Sequence, residues 1–206
     1  MTNPRLVHLL PNPSVANQIL TGAGNRTVVW DYTQNVLVKT LPDTPRQPRT
    51  FPSSATTVLL PLLAPKYSPT VLVCGGSSGD MPNTLALNDC YTINPQDDSP
   101  IWTPTDNLPN GPQTMSDGIL LPDGTVLILN GGGIGSGGGY MADKPVFQPV
   151  IYNSTAPAGA KFTTMPGTQI PRLYHSIATL LPSGEVLVAG SNPNVFYTTT
   201  GNVPSG

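Results

Sequence analysis

The side chains that could do chemistry in this 206-residue sequence are few and unevenly placed. Histidine occurs twice, at His8 and His175, and cysteine twice, at Cys74 and Cys90. Tyr174 directly precedes His175; a neutral imidazole is a good ligand for copper or iron, and a phenolate oxygen suits an oxidised metal. Adjacent side chains of a strand point to opposite faces unless the backbone twists. On spacing alone the pair therefore reads either as part of a metal site or as a hydrogen-bonded structural histidine. Ser176 follows, but the G-x-S-x-G pattern of a nucleophile elbow is missing. Asp97 and Asp98 lie in NPQDDSP, a solvated loop more than an acid/base pair. Asp117, Asp123 and Glu185 fall at strand starts or hairpin turns, where turn chemistry explains them. Gly133 to Gly138 reads GIGSGG and formally matches a dinucleotide fingerprint. The GGYMADKPVFQPV after it has two prolines and no helical period, so a phosphate would meet no helix N-terminus and a close-packed or flexible loop is expected. Cys74 and Cys90 are too few for a disulfide scaffold and too far apart for a C-x-x-C motif, which leaves both two free thiols and one disulfide open.

The elements that must position these residues are strands. The chain holds 21 Gly and 25 Pro, and charged residues make up 10%, against roughly 25% in ordinary soluble domains. That composition excludes helical bundles and coiled coils. Apolar residues reach 38% without any run near the ~18 residues a membrane span needs, so no membrane partner is expected. A formal charge of -2 offers no basic field for nucleic acid or anionic lipid. The opening MTNPRLVHLLPNPS lacks the basic start and long apolar region of a secretion signal, so no signal peptide is expected.

Internal repeats organise the strands. LLP tripeptides begin at Leu59, Leu120 and Leu180, 61 and 60 residues apart, with a weaker copy at Leu9. Each is followed by PDG, PSG or a longer Pro-rich insert and then by a second apolar run, which is hairpin chemistry. The second runs end in GAGN, GGS, NGGG or AGSN, where small residues let backbones approach closely. VVWDY at Val28, NDCYTI at Asn88 and PVIYN at Pro149 read as third strands. VLVKTLP, IWTPTDNLP and KFTTMPG read as fourth strands. Val126 to Leu129 is apolar without alternation, as in strands covered on both faces. The fold class is therefore all-β: a kelch-type β-propeller of four-stranded antiparallel blades. Three units are complete and a fourth opens, an arc of three to four blades from a larger ring. Relative to the LLP landmark, His8 lies four residues further along its strand than His175, roughly 13 Å outward. It is not expected to be a second ligand.

The segment IPRLYHSIATLLPSGEVLVAGSNPN, from Ile170 to Asn194, resembles the signature region of glyoxal oxidases, copper radical oxidases related to galactose oxidase. PRTFPSSATTVLLPL, YSPTVLVCGGS, LNDCYTI, MSDGILLPDGTVLILNGG and PVIYNSTAPAGAKF follow the family's order, so the likeness spans Val28 to Asn194. The resemblance implies a seven-bladed propeller carrying one copper beside a tyrosyl radical cross-linked to cysteine. It implies oxidation of small aldehydes or alcohols, with O2 reduced to hydrogen peroxide. Tyr174 is similar to the axial tyrosine ligand, which acts as general base, and His175 to the first histidine ligand. Cys74 and Cys90 match positions where the family also shows cysteines, which implies a structural disulfide in a secreted parent; NRT at Asn25 and NST at Asn153 are sequons consistent with it.

The radical tyrosine and its cysteine belong to family segments upstream of Val28, where this sequence has neither residue type, and no histidine follows His175. At most two of four protein ligands are present. The 1–206 region thus reads as a partial propeller without a complete second domain, a fragment that binds copper weakly and does not turn over. Two other readings are a kelch-like module that presents loops to a partner without catalysis, and a half-ring completed by another chain. An open arc leaves apolar blade faces uncovered, so self-association is expected.

Overall fold

The computed structural model describes residues 6–11, 17–79, 82–139 and 141–192, and every regular element among them is a strand. β1 (Leu6–Leu9), β2 (Gln18–Ala23), β3 (Arg26–Asp31) and β4 (Val36–Thr40) form an antiparallel meander, blade 1. β5 (Thr56–Leu59), β6 (Val71–Cys74), β7 (Cys90–Ile93) and β8 (Thr103–Pro104) form blade 2. β9 (Asp117–Leu120) and β10 (Val126–Leu129) open blade 3; after the extra hairpin β11 (Gly132–Gly135) and β12 (Ala142–Pro145), β13 (Val150–Tyr152) and β14 (Phe162–Thr164) close it. β15 (Ser176–Leu180) and β16 (Val186–Gly190) form the first hairpin of blade 4.

The first strands of successive blades lie side by side, β1 against β5, β5 against β9 and β9 against β15, which is the radial stacking of a β-propeller. Blade 2 shows why its strands are apolar on both faces. Val71 and Val73 join the core shared with blade 1, whereas Leu72 and Cys74 join the core shared with blade 3. β10 repeats this, with all four residues buried. Each fully buried Val or Leu contributes about 1.5–3 kcal/mol. Gly118 lets β9 approach β5 closely, since a Cβ there would stand 2.5 Å from Val58 Cγ2 and 2.6 Å from Thr56 Cγ2. The PDG and PSG turns fold alike: Leu121 N–H donates to Thr125 O and Leu181 N–H to Glu185 O, both at 2.8 Å.

The glycine-rich segment differs from the loop expected of it. Gly132–Gly135 pairs antiparallel with Ala142–Pro145; neither strand is rich in strand-forming residues, and β11 is held from its other side by backbone bonds to Thr84, Ala86 and Thr114. Cys74 faces Cys90 across the β6–β7 ladder, and the two are joined, Sγ to Sγ, at 2.04 Å.

Candidate functional site

Blade 4 begins at Pro171, and Leu173, 1% exposed, anchors the entry to the core. His175 then adopts φ +66°, the left-handed region a non-glycine residue seldom enters. Strand alternation would separate the side chains of Tyr174 and His175; the left-handed residue instead brings their rings together, stacked with centroids 3.8 Å apart at 28°. His175 Nδ1 lies 3.1 Å from the backbone oxygen of Asn192. A carbonyl only accepts, so Nδ1 carries the proton and Nε2 is the lone-pair nitrogen. Metal-binding histidines are commonly held this way, by a hydrogen bond from the other ring nitrogen.

The backbone of this entrance is repeated. Ser54 and Met115 stand at the same distance before their LLP landmarks as His175, and they too are left-handed, at φ +36° and +58°. At the end of the second strand in blades 2, 3 and 4 two consecutive residues are left-handed: Gly75 and Gly76, Asn130 and Gly131, Gly190 and Ser191. A side chain also reaches from each of these entrances to the carbonyl of the first residue of that pair. Arg49 Nη1 donates to Gly75 O, Gln113 Nε2 to Asn130 O at 2.6 Å, and Arg172 Nη1 to Gly190 O.

Around the ring pair, the tip of the β11–β12 hairpin approaches Tyr174. A Cβ on Gly137 would lie 2.8 Å from Phe51 Cε2 and 3.4 Å from Tyr174 Cε2, and the Gly137 N–H donates to Pro52 O at 2.8 Å. A groove of about 830 Å³ on the other part of the hairpin, lined by Ile134, Lys144, Phe147 and Gln169, includes neither ring. His8 is far from this chemistry in its contacts: its Nε2 meets Thr57 Oγ1 at 3.2 Å between blades 1 and 2, and burial lowers its pKa to about 4. Asp97 and Asp98 are exposed, and Asp97 Oδ1 accepts from Asn94 Nδ2 at 2.7 Å. Asp123 ties its own turn by accepting from Thr125 N and Oγ1, which holds its carboxyl below the usual range. Ser176 begins β15 and pairs with Gly190.

Among the described residues no three His, Cys, Asp or Glu side chains cluster as a metal site. By chemistry the ring pair offers copper half of a donor set: one imidazole nitrogen with its tautomer set, and the phenol oxygen of the ring stacked on it. Two residues that sequence reasoning passed over take part here. Arg172 could have been found from the P-R dipeptide shared with Pro48–Arg49, whereas Asn192 acts through its backbone and leaves no signature.

Comparison with known proteins places this chain in a family. The sequence profile of the glyoxal oxidase N-terminus matches residues 4–205. The chain is 38% identical over 205 residues to the aldehyde oxidase GLOX of Vitis pseudoreticulata, covering 97% of this chain and 38% of that protein. It is also 38% identical over 188 residues to the aldehyde oxidase GLOX1 of Arabidopsis thaliana, covering 85% of this chain and 30% of that one. It thus spans less than two fifths of the length of these curated relatives. In fold it is similar to a fungal alcohol oxidase of the AA5 family solved in complex with copper, at a TM-score of 0.65 and 15% identity, over 86% of this chain and 35% of that one. The chain belongs to the glyoxal oxidase N-terminus family.

Proposed function

We propose that this chain forms part of the active site of a copper radical oxidase acting on small aldehydes or alcohols. The reaction would be RCH(OH)2 + O2 → RCOOH + H2O2 for a hydrated aldehyde, or RCH2OH + O2 → RCHO + H2O2 for an alcohol. The observation that carries this reading is the stacked Tyr174–His175 pair, with His175 Nδ1 committed to Asn192 O and Nε2 left as the donor nitrogen. Copper, when bound, supplies one-electron redox capacity and Lewis acidity at the substrate oxygen. His175 Nε2 and Tyr174 Oη would hold it. Tyr174 Oη, as phenolate, would also accept the proton of the substrate hydroxyl, the general-base role that needs the oxygen within hydrogen-bond reach of that proton. Stacking on His175 restrains the ring while it does so.

The radical tyrosine, its cysteine and the second histidine of the family's site are not supplied by these 206 residues. The chain alone is therefore expected to hold copper weakly and not to sustain turnover, because two donors do not fix a coordination geometry. The same reading makes the parent a seven-bladed, secreted enzyme stabilised by the Cys74–Cys90 bridge. In it, further blades would cover the apolar residues now exposed at the ends of the arc: Val7 and Leu9 at 50% and 61%, Ile177 and Leu187 at 58% and 48%. Uncovered, these faces favour self-association.

The test is copper(II) titration of the purified chain, with hydrogen peroxide measured on methylglyoxal. Weak binding that disappears in His175→Ala, without peroxide, is the expected result. Sustained peroxide formation by the 206 residues alone would overturn the claim of an incomplete site.

A further inference from the structure

A chain of hydrogen bonds runs through blades 2, 3 and 4 and ends at the ring pair. In blade 2 Arg49 Nη1 donates to Gly75 O, and the next residue, Gly76, donates its N–H to Gln113 O of the blade 3 entrance at 2.8 Å. Gln113 Nε2 then donates to Asn130 O, and Gly131 N–H donates to Arg172 O of the blade 4 entrance at 2.7 Å. Arg172 Nη1 in turn donates to Gly190 O. In blades 3 and 4 one residue therefore does two jobs: its carbonyl receives the preceding blade, and its side chain clamps the left-handed pair of its own blade. A buried or partly buried carbonyl at such a turn needs a donor, and a charged donor makes the stronger bond.

The residues beyond the clamped pair differ between blades. In blade 4 the pair leads directly to Asn192, whose carbonyl accepts from His175 Nδ1, and Ser191 N–H donates to His175 O at 3.3 Å. Ser191 Oγ also accepts from Leu173 N–H at 2.9 Å. The segment 190–192 thus touches both the backbone and the ring of His175, and Arg172 is the side chain that fixes where this segment starts.

We infer that Arg172 is a positioning residue for His175: by clamping the Gly190 carbonyl it holds Asn192 O where it selects the Nδ1–H tautomer and aims Nε2. This rests on the assignment of His175 as a copper ligand, but its first consequence is present in the metal-free protein. Gln113 does the same clamping in blade 3 with a neutral amide, so a hydrogen-bond donor of sufficient reach is what the position requires.

The experiment uses the 206-residue chain with Arg172→Met, which keeps an unbranched stem and removes the donors, and Arg172→Lys, which restores a charged donor at nearly the same reach. Long-range imidazole 1H–15N spectra of the metal-free proteins read the His175 tautomer, and titration with aqueous copper(II) reads affinity. R172M is expected to show a mixture of tautomers and copper affinity lowered about tenfold or more, the size of effect found when the support of a ligating histidine is removed. R172K is expected to keep the single tautomer and most of the affinity. Unchanged tautomer and affinity in R172M would overturn the inference, as would their loss in a folded R172K, which also decides the matter if R172M does not fold. His175→Ala separates the two readings: copper affinity unchanged by it sinks the ligand assignment, while the tautomer spectra still judge the clamp.

Discussion

At the entrance of blade 2 Arg49 is fully buried and paired bidentately with Asp89, at 3.0 and 2.9 Å, while its guanidinium also reaches Gly75 O and Pro45 O. At the entrance of blade 4 Arg172 makes the matching bond to Gly190 O, is partly exposed, and has no carboxylate partner among the described residues. The clamp is the same; its surroundings are not. In blade 2 it stands beside Ser53 and Ser54, and the arginine ties the linker to Asp89, the residue that leads into the third strand. In blade 4 it stands beside Tyr174 and His175. The propeller thus supplies one backbone device several times, and in blade 4 that device carries the stacked Tyr174 and His175.

Breaking the blade 2 version should have the largest effect on stability. Asp89→Ala leaves the buried Arg49 charge uncompensated and is expected to lose about 3–5 kcal/mol in urea unfolding. A loss under about 1 kcal/mol, the worth of an ordinary exposed pair, would mean that the two blades use the clamp alike. Next in size is the left-handed pair. Gly131→Ala places a Cβ 2.2 Å from Thr114 O at φ +86° and is expected to lose about 2–3 kcal/mol. Asn130→Gly beside it is expected to lose less, since glycine suits φ +64° while the Asn130 Nδ2 bond to Asp117 Oδ2 at 2.8 Å is lost.

A third effect depends on pH. Burial lowers His8 to about 4 from 6.5, so the unfolded chain takes up a proton in this window while the folded chain does not. Stability is therefore expected to be full above pH 6.5, to fall by about 2 kcal/mol as pH drops from 6.5 to about 4, allowing for the water that still reaches a half-buried ring, and to level off below that. His8→Gln should remove that slope. Asp31, Asp106 and Asp123, all held below the usual carboxylate range by hydrogen bonds, contribute stability that is lost only at lower pH. The smallest change in stability, about 1 kcal/mol, is expected for Arg172→Met, whose bond is the partly exposed one; its effect appears at His175 instead.

The blades themselves were legible in the sequence because their determinants are local. LLP, the turn or Pro-rich insert after it and the small-residue strand ends set each hairpin, and the apolar run of β10 announced burial on both faces. Three features were not legible, for separate reasons. The hairpin β11–β12 is built mostly from residues with little strand preference and is held by backbone bonds to Thr84, Ala86 and Thr114, distant in sequence. The left-handed conformation of His175 has only a weak residue-type signal, so sequence alone leaves open whether the backbone turns enough to bring its ring onto that of Tyr174; the two residues form a turn before β15. The clamp residues Arg49, Gln113 and Arg172 each follow a proline, but they differ in type and lie ten, seven and eight residues before their LLP landmarks, so the shared proline does not reveal what their side chains bind.

The central claim is that His175 presents Nε2 to copper beside Tyr174. It is tested most directly by electron paramagnetic resonance of the copper(II)-titrated chain in a His8→Gln background, where His175 is the sole imidazole. Nitrogen hyperfine structure from one imidazole, abolished by adding His175→Ala, is the predicted result; a spectrum unchanged by that substitution would contradict it.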